Sequence, residues 1–247
     1  MNTADTLNKM KQMRLLGMAS ALQDRLETGL QEPVTNEEFI SFLIQKEWED
    51  RQERRLQRYL KNARFRYRAA FEEIHYHPAR NLDKDLLFRL ASCQYIKEKQ
   101  NVIIEGATGT GKSFIAAALG NQACIKGHQT RYFHTQKLFT RLKMAKADNT
   151  YQKELAAIER QDLLILDDFG LHPLDANARL MLMEIMEDRH GKKATIITSQ
   201  FPVDKWYDLI ADGTIADAIL DRIVHRAHRI KLKGESMRKQ QKIVDNP

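Results

Sequence analysis

Apolar residues in the first seventy positions recur at the three- and four-residue spacing of amphipathic helices. We predict one helix that is capped by Asp5 and ends near Gly29, followed by a break at residues 31–34. Thr35 and Glu38 have the spacing of a capping box, which predicts the start of a second, longer helix. The N-terminal region, residues 1–70, should therefore form a small all-helical domain, and the basic residues described below make it the candidate domain for binding a partner or DNA. The apolar positions of the first helix are Leu15, Met18, Leu22 and Leu26.

The remainder of the chain alternates short apolar runs with helical patterns, after a connector at residues 71–82. Runs that are apolar on both faces are typical of parallel strands covered by helices. We therefore predict an α/β domain over residues 71–247. The predicted strands are 101–105, 130–134, 162–168, 194–199 and 229–233. The predicted helices are 83–97, the segment after residue 112, 136–160, 175–190, 203–210 and 214–225.

A glycine-rich run, GATGTGKS, lies between the first predicted strand and a helix. Glycines let backbone N–H groups surround a polyphosphate, a lysine adds positive charge, and a serine hydroxyl is a ligand for magnesium. In this context the run predicts a P-loop with ATP and Mg²⁺ as cofactors. The predicted binding residues are Gly106, Ala107, Thr108, Gly109, Thr110, Gly111, Lys112 and Ser113.

Two acids end the run DLLILDD, which reads as a buried strand. In P-loop enzymes such a strand delivers an acid to the magnesium ion, and we assign that role to Asp167. Asp168 is then placed to activate the attacking water. The alternative is that both acids only cap a turn before Gly170.

Two further polar positions are candidates for catalysis. Gln200 follows the predicted strand 194–199, whose end should lie beside the γ-phosphate. Arg222 follows an apolar helix face and is suited to reach the ATP of a neighbouring subunit, which would make hydrolysis depend on assembly. The alternative for Arg222 is a salt bridge with Asp217 or Asp221.

The formal net charge is +7, and the positive charge is concentrated in two segments. Residues 51–68 carry eight basic residues against one acid, which favours contacts with a nucleic-acid backbone over a merely solvated face. A second basic segment runs from Arg222 to Lys242, and for it the two interpretations are equally supported. No apolar run approaches the ~20 residues that span a bilayer, so we expect a cytoplasmic protein with no membrane partner. The predicted DNA-binding residues are Arg54, Arg55, Arg58 and Lys61.

The motifs GATGTGKS, LLILDDFG, TIITSQFPVDKW, AILDRIVHRA and KGESMR together resemble the IstB-like transposition helper ATPases, which are relatives of the DnaC and DnaI helicase loaders. The resemblance covers about residues 1–240. It implies an AAA+ domain without a C-terminal helical lid and a sheet in the order 5-1-4-3-2. It also implies a homo-oligomer with ATP-bridged interfaces, assembled on duplex DNA, that presents a target site to a cognate transposase. The resemblance implies that Asp168 is the catalytic base, that Gln200 senses the γ-phosphate, and that Arg222 is the arginine finger that reaches the ATP of a neighbouring subunit.

The chain departs from the family pattern in three places. Asp168 replaces the more common glutamate and Gln200 replaces an asparagine, so slow turnover is expected, with ATP acting mainly as an assembly switch. Met237 stands where a tyrosine is more usual, which leaves a role for Arg238 open. Three other functions compete: a replicative helicase loader, a small-molecule kinase, and a DNA-binding scaffold that binds ATP without hydrolysing it.

Overall fold

A computed structural model describes residues 2–28 and 35–237. The chain divides into two compact units, with the division between Arg58 and Tyr59. Residues 59–70, which the sequence analysis assigned to the N-terminal domain, thus group with the second unit. The predicted boundary near residue 70 between a partner- or DNA-binding domain and an ATPase domain stays a prediction.

The first unit is helical. Its helices are α1 (Thr3–Gln12), α2 (Leu16–Thr28) and most of α3 (Asn36–Ala63), which continues into the second unit. The prediction of a single first helix was wrong, because the chain breaks at Arg14, whose φ is +60°. Asn2, not Asp5, caps α1, and Asp5 lies in its first turn. The predicted helix end at Gly29 and the break at 31–34 lie outside the described residues.

The start of α3 has the predicted capping box. The Thr35 N–H donates to Glu38 Oε2 at 2.7 Å, and the Glu38 N–H donates to Thr35 Oγ1 at 3.2 Å. Further along α3, the buried Glu47 accepts hydrogen bonds from the N–H groups of Gly17 and Met18 at the start of α2. This carboxylate satisfies helix-terminal donors that would otherwise lack partners, and it fixes α2 against α3.

The second unit is a five-stranded parallel sheet covered by helices. The strands are β1 (Asn101–Glu105), β2 (Thr130–His134), β3 (Leu163–Phe169), β4 (Ala194–Ser199) and β5 (Ala227–Lys231). Their order is β2-β3-β4-β1-β5, which is the predicted order read from the other edge. The helices are α4 (Lys84–Ala91), α5 (Gln94–Lys97), α6 (Lys112–Ile125), α7 (Thr135–Ala147), α8 (Tyr151–Glu159), α9 (Ala176–Arg189), α10 (Trp206–Ile210) and α11 (Gly213–Val224).

Successive strand residues point to opposite faces of this sheet and build two cores. Val102 and Ile104 join the core that contains α6 and the connector, whereas Ile103 joins the core that contains α7, α9 and α11. Both faces are thus fully covered, as the apolar strands predicted. Cys93 and Cys124 are buried free thiols.

Several predicted elements differ from the observed ones. β3 lies one residue later than predicted, and the helix predicted at 203–210 begins with a 3₁₀ turn at Val203–Lys205. The helix predicted at 83–97 divides at Cys93, whose φ is +62°, and the helix predicted at 136–160 divides at Asn149, whose φ is +54°. Strand β5 begins two residues earlier than predicted. The connector is partly ordered into 3₁₀ turns at Phe71–Glu73 and Pro78–Arg80, and Phe71 and Ile74 pack in the first core.

Candidate active site

The carboxyl ends of the parallel strands lie at one edge of the sheet, where α/β proteins bind ligands. β1 leads there into the predicted P-loop, β3 into its acids and β4 into Gln200. A cavity of about 800 Å³ opens at this edge. The residues that line it include Arg66, Tyr67, Arg68, Arg80, Lys112, Ser113, Asp168 and Gln200.

The P-loop has the backbone that the glycines predict. Gly109 and Gly111 have φ values of +84° and +90°, which side chains with a Cβ rarely adopt. Lys112 is buried, and its ammonium donates to the carbonyl oxygens of Gly106 and Ala107 at 2.7 and 2.9 Å. Burial lowers the pKa of Lys112, although the carboxylates of Asp168 and Asp167 oppose this shift. A bound phosphate would therefore compete with the loop's own carbonyls for this ammonium.

The closing motif lies against the P-loop. The Met237 N–H donates to the Gly109 carbonyl at 2.9 Å, and a Cβ on Gly109 would collide with the Ser236 side chain. Met237 also lines the cavity. Met237, a predicted departure from the family pattern, thus lies beside the P-loop, while Arg238 lies outside the described residues.

The two acids of β3 point in different directions, as adjacent strand residues do, and the strand is irregular between Leu166 and Phe169. Asp167 is fully buried, and its carboxylate accepts hydrogen bonds from the Tyr132 hydroxyl and, at 2.6 Å, from Thr198 Oγ1. Asp168 has a φ of +57° and lines the cavity. Bulges of this kind redirect side chains beside active sites. Of the two predicted acids, Asp168 is the one that faces the cavity.

The end of β4 connects the acids to the P-loop. Thr198 Oγ1, which donates to Asp167, also accepts the Asp168 N–H at 3.0 Å. Gln200 Oε1 accepts a hydrogen bond of 2.7 Å from Thr108 Oγ1. Gln200 therefore contacts the P-loop and lies in the same cavity as Lys112 and Asp168, as a γ-phosphate sensor requires.

Arg222 lies at the opposite edge of the sheet. The Asn101 side chain, where β1 begins, donates to the Arg222 carbonyl at 3.1 Å, whereas the P-loop follows the other end of β1. The four residue steps of β1 separate the two edges by about 13 Å. The Arg222 guanidinium pairs with Glu187 and donates to the Ala218 carbonyl at 2.7 Å. Its ion-pair partner is thus Glu187 rather than Asp217 or Asp221.

Some basic residues of α3 form ion pairs within the helix, whereas others have exposed side chains. Arg51 pairs with Glu47 at 2.7 Å, and Arg54 pairs with Asp50 at 2.6 Å. Arg55 and Lys61 have exposed side chains. Acids one helical turn upstream therefore neutralise part of the cluster.

Comparison with known proteins identifies the family. The family of IstB-like ATP binding proteins matches residues 8–244. The chain belongs to this family. An insertion sequence ATP-binding protein of Sinorhizobium fredii, y4pL, is 42% identical over 237 residues, which cover 96% of this chain and 97% of the relative. The ATP-binding protein of insertion sequence IS1162 from Pseudomonas fluorescens is 37% identical over 203 residues, covering 82% and 88%.

Two solved structures share the fold. The DnaC helicase loader is 23% identical with a TM-score of 0.53, and the match covers 64% of this chain and 94% of DnaC. DnaI is 22% identical with a TM-score of 0.57, covering 67% and 92%. The predicted AAA+ fold is confirmed. None of the helices in the described parts of this IstB-like chain is long and apolar enough to cross a membrane.

Several residues of the site carried no signal in the sequence. Asp168 Oδ2 lies 3.7 Å from an Arg66 guanidinium nitrogen and 3.5 Å from His134 Nε2. Arg66 was part of the basic segment assigned to nucleic acid, and His134 was only the last residue of a strand. Arg66 lines the cavity and His134 lies beside Asp168, and the fold rather than a motif brings both residues there.

Proposed function

We propose that the protein is a DNA-binding helper ATPase of a transposition system. In this proposal it assembles on duplex DNA as a homo-oligomer with ATP at its interfaces and engages a cognate transposase. One observation carries the proposal: Lys112, Asp168 and Gln200 share one cavity, whereas Arg222 lies at the opposite edge of the sheet. A single chain therefore holds the phosphate-binding loop, the base and the sensor of an ATPase site, and Arg222 lies away from that site.

The residues of the cavity have distinct roles in hydrolysis. The P-loop amides and the Lys112 ammonium bind and orient the phosphates. Asp168 accepts the proton of the attacking water. Gln200 contacts the γ-phosphate and orients it. Arg222 of one subunit stabilises the charge that develops on the ATP of the next subunit. ATP then bridges two subunits, which couples hydrolysis to assembly.

The oxygen-rich end of the site fits magnesium, which prefers oxygen ligands and retains water. Ser113, which lines the cavity, would hold the ion together with its waters, and the buried Asp167 would act through one of those waters. The Tyr132 and Thr198 hydroxyls orient the Asp167 carboxylate. Burial and that carboxylate raise the pKa of Tyr132, so its hydroxyl stays protonated and remains a donor. When bound, magnesium would neutralise phosphate charge.

The DNA and transposase parts of the proposal have separate support. The exposed side chains of Arg55 and Lys61 and the overall positive charge suit a phosphate backbone. The similar proteins are named as ATP-binding proteins of insertion sequences, and mobile elements of this kind are moved by a transposase. The DnaC and DnaI likeness is limited to the fold, so it does not favour a helicase partner.

Changing Lys112 to Ala tests whether the P-loop is the assembly switch. We expect ATP affinity to fall by about ten- to a hundredfold, because the variant cannot make charge-assisted hydrogen bonds to the phosphates. ATP-dependent assembly on DNA should fail as well. Calorimetric titration with ATP and sedimentation with duplex DNA measure the two effects. Lys126→Ala, at the other end of α6, is the control and should behave like the parent. Normal assembly of the Lys112 variant would exclude the P-loop as the switch.

Replacing the four predicted DNA-binding residues by glutamine tests the basic segment. Duplex binding should weaken, and its salt slope should fall by about one unit for each DNA phosphate that the variant no longer neutralises. Arg54→Gln alone should contribute least, because Asp50 already pairs with Arg54. Binding is measured against salt concentration by fluorescence anisotropy.

A second quadruple glutamine variant controls for net charge in this experiment. It removes the same number of positive charges, from exposed lysines outside α3, and should keep the parent salt slope. If both variants reduce the slope equally, the effect comes from net charge and not from a site on α3. The control positions are Lys126, Lys137, Lys153 and Lys192.

A further inference from the structure

Arg80 is a buried arginine whose guanidinium contacts the P-loop. It lies in the 3₁₀ turn at the end of the connector, and only 7% of the residue is exposed. One guanidinium nitrogen donates to the Thr110 carbonyl at 2.9 Å, and the other donates to the His75 carbonyl. The Arg80 carbonyl in turn accepts the Lys233 N–H at 3.0 Å, which fixes the turn to the chain leaving β5. The backbone around Arg80 thus holds the side chain against the loop.

The charge of Arg80 lacks a counter-charge. Within residues 2–28 and 35–237, no carboxylate lies within ion-pair distance of Arg80, and its Nε has no hydrogen-bond acceptor. Burial of an unpaired guanidinium is costly. Arg189 is also buried, but its guanidinium makes hydrogen bonds to Thr195 Oγ1 and to three carbonyl groups. Arg80 therefore differs from a structural arginine, and it lines the cavity that the P-loop forms.

The contact with Thr110 sets the direction of a loop amide. In a planar trans peptide, the carbonyl of one residue and the N–H of the next point in opposite directions. Because Arg80 holds the Thr110 carbonyl, the Gly111 N–H points away from the guanidinium. A Cβ on Gly111 would come within 2.8 Å of the Arg80 guanidinium, so glycine is needed for this close approach as well as for its φ of +90°.

We propose that Arg80 is a positioning residue for nucleotide binding. It fixes the Thr110–Gly111 peptide so that the Gly111 N–H is directed at the polyphosphate, which lies on the side of the peptide opposite the guanidinium. This inference rests on the proposed function, since it requires ATP or ADP in the P-loop. Both nucleotides carry the phosphate that a preformed loop amide binds, so Arg80 should matter equally for both.

Changing Arg80 to Ala tests the inference by chemical rescue. We expect the affinities for ATP and for ADP to fall together by about ten- to a hundredfold. Guanidinium chloride at about 10 mM, too dilute to denature the protein, should restore a large part of both affinities by filling the vacated space. Ammonium chloride at the same concentration should not, because ammonium lacks the planar fork that bridges two carbonyls.

Arg189→Ala is the matched control for loss of a buried arginine. It should lower the melting temperature, and guanidinium should not change its nucleotide affinity. Arg80→Lys provides a second variant that keeps the charge and should fold even if Arg80→Ala does not. It should still bind ATP more weakly than the parent, because an ammonium does not reproduce the two-carbonyl contact.

The outcomes separate this inference from the proposed function. If the parent binds neither ATP nor ADP, the proposed function fails. If the parent binds both and the Arg80 variants bind them equally well, Arg80 is not a positioning residue. A loss confined to ATP would place Arg80 on the γ-phosphate and overturn the loop role. A loss without guanidinium rescue, together with a melting temperature as low as that of Arg189→Ala, would make the residue merely structural.

Discussion

Changing Asp168 to Asn should reduce ATP hydrolysis by about a hundred- to ten-thousandfold while the protein still binds ATP, because the amide cannot accept the proton of the attacking water. Asparagine tolerates the left-handed backbone at this position about as well as aspartate, so the φ of +57° should persist. The P-loop and Lys112 are unchanged. Phosphate release and calorimetric ATP binding, measured on the same samples with duplex DNA, check the two parts of the prediction.

The control for the Asp168 variant removes a similar charge outside the cavity. Asp208→Asn, at an exposed position of α10, should hydrolyse ATP at the parent rate. If Asp168→Asn also keeps the parent rate, Asp168 is not the base. If neither the parent nor the variant hydrolyses ATP although both bind it, the protein is a scaffold that uses ATP only for assembly.

The left-handed backbone also explains a departure from the family pattern. Aspartate and asparagine occupy left-handed positions several-fold more often than most residues with a Cβ. Asp168 adopts this conformation where β3 is irregular, and the conformation turns its side chain into the cavity. The shorter acid is therefore compatible with this backbone. Its shorter reach remains the reason to expect slow turnover.

The sequence predicted the sheet well because its strands are apolar on both faces. β1, β2 and β4 have the bounds that the sequence predicted, and the strand order followed from the family resemblance. The helix breaks at Arg14 and Cys93 were missed. Neither position has the glycine or proline that normally marks a break, and each has a positive φ. Packing of the surrounding chain, not local propensity, therefore determines those two breaks.

Only the site residues that belong to a sequence motif could be predicted. The P-loop, Asp168 and Gln200 meet in one cavity, as the parallel strand order requires. Arg80 comes from the connector and His134 from the end of β2, where no local pattern marks a functional role, and Arg66 belongs to a basic segment that suggested a different one. Arg66 also shows why a basic run cannot be assigned as a whole: part of the run is ion-paired within α3, and part lines the nucleotide cavity.

Changing Arg222 to Ala should reduce hydrolysis by about a thousandfold or more while ATP binding persists. The reason is geometric: Arg222 lies at the sheet edge opposite its own P-loop, so in the proposed assembly it acts on the ATP of another subunit. Glu187→Gln is the matched control. It removes the ion-pair partner of Arg222 but leaves the guanidinium in place, so hydrolysis should remain near the parent rate. Equal losses in both variants would assign Arg222 a structural role.

Mixing the Arg222→Ala and Lys112→Ala proteins tests whether Arg222 acts between subunits. The first variant keeps an intact phosphate site, and the second keeps an intact arginine. When the two assemble together on DNA, some interfaces combine the intact site of one with the intact arginine of the other, so hydrolysis should partly return. Co-assembly is verified by pulling down one tagged variant with the other. If the variants co-assemble and no activity returns, Arg222 does not act on a neighbouring ATP. Hydrolysis would then have no structural link to oligomer formation, because Arg222 is the residue through which the proposed site requires a second subunit.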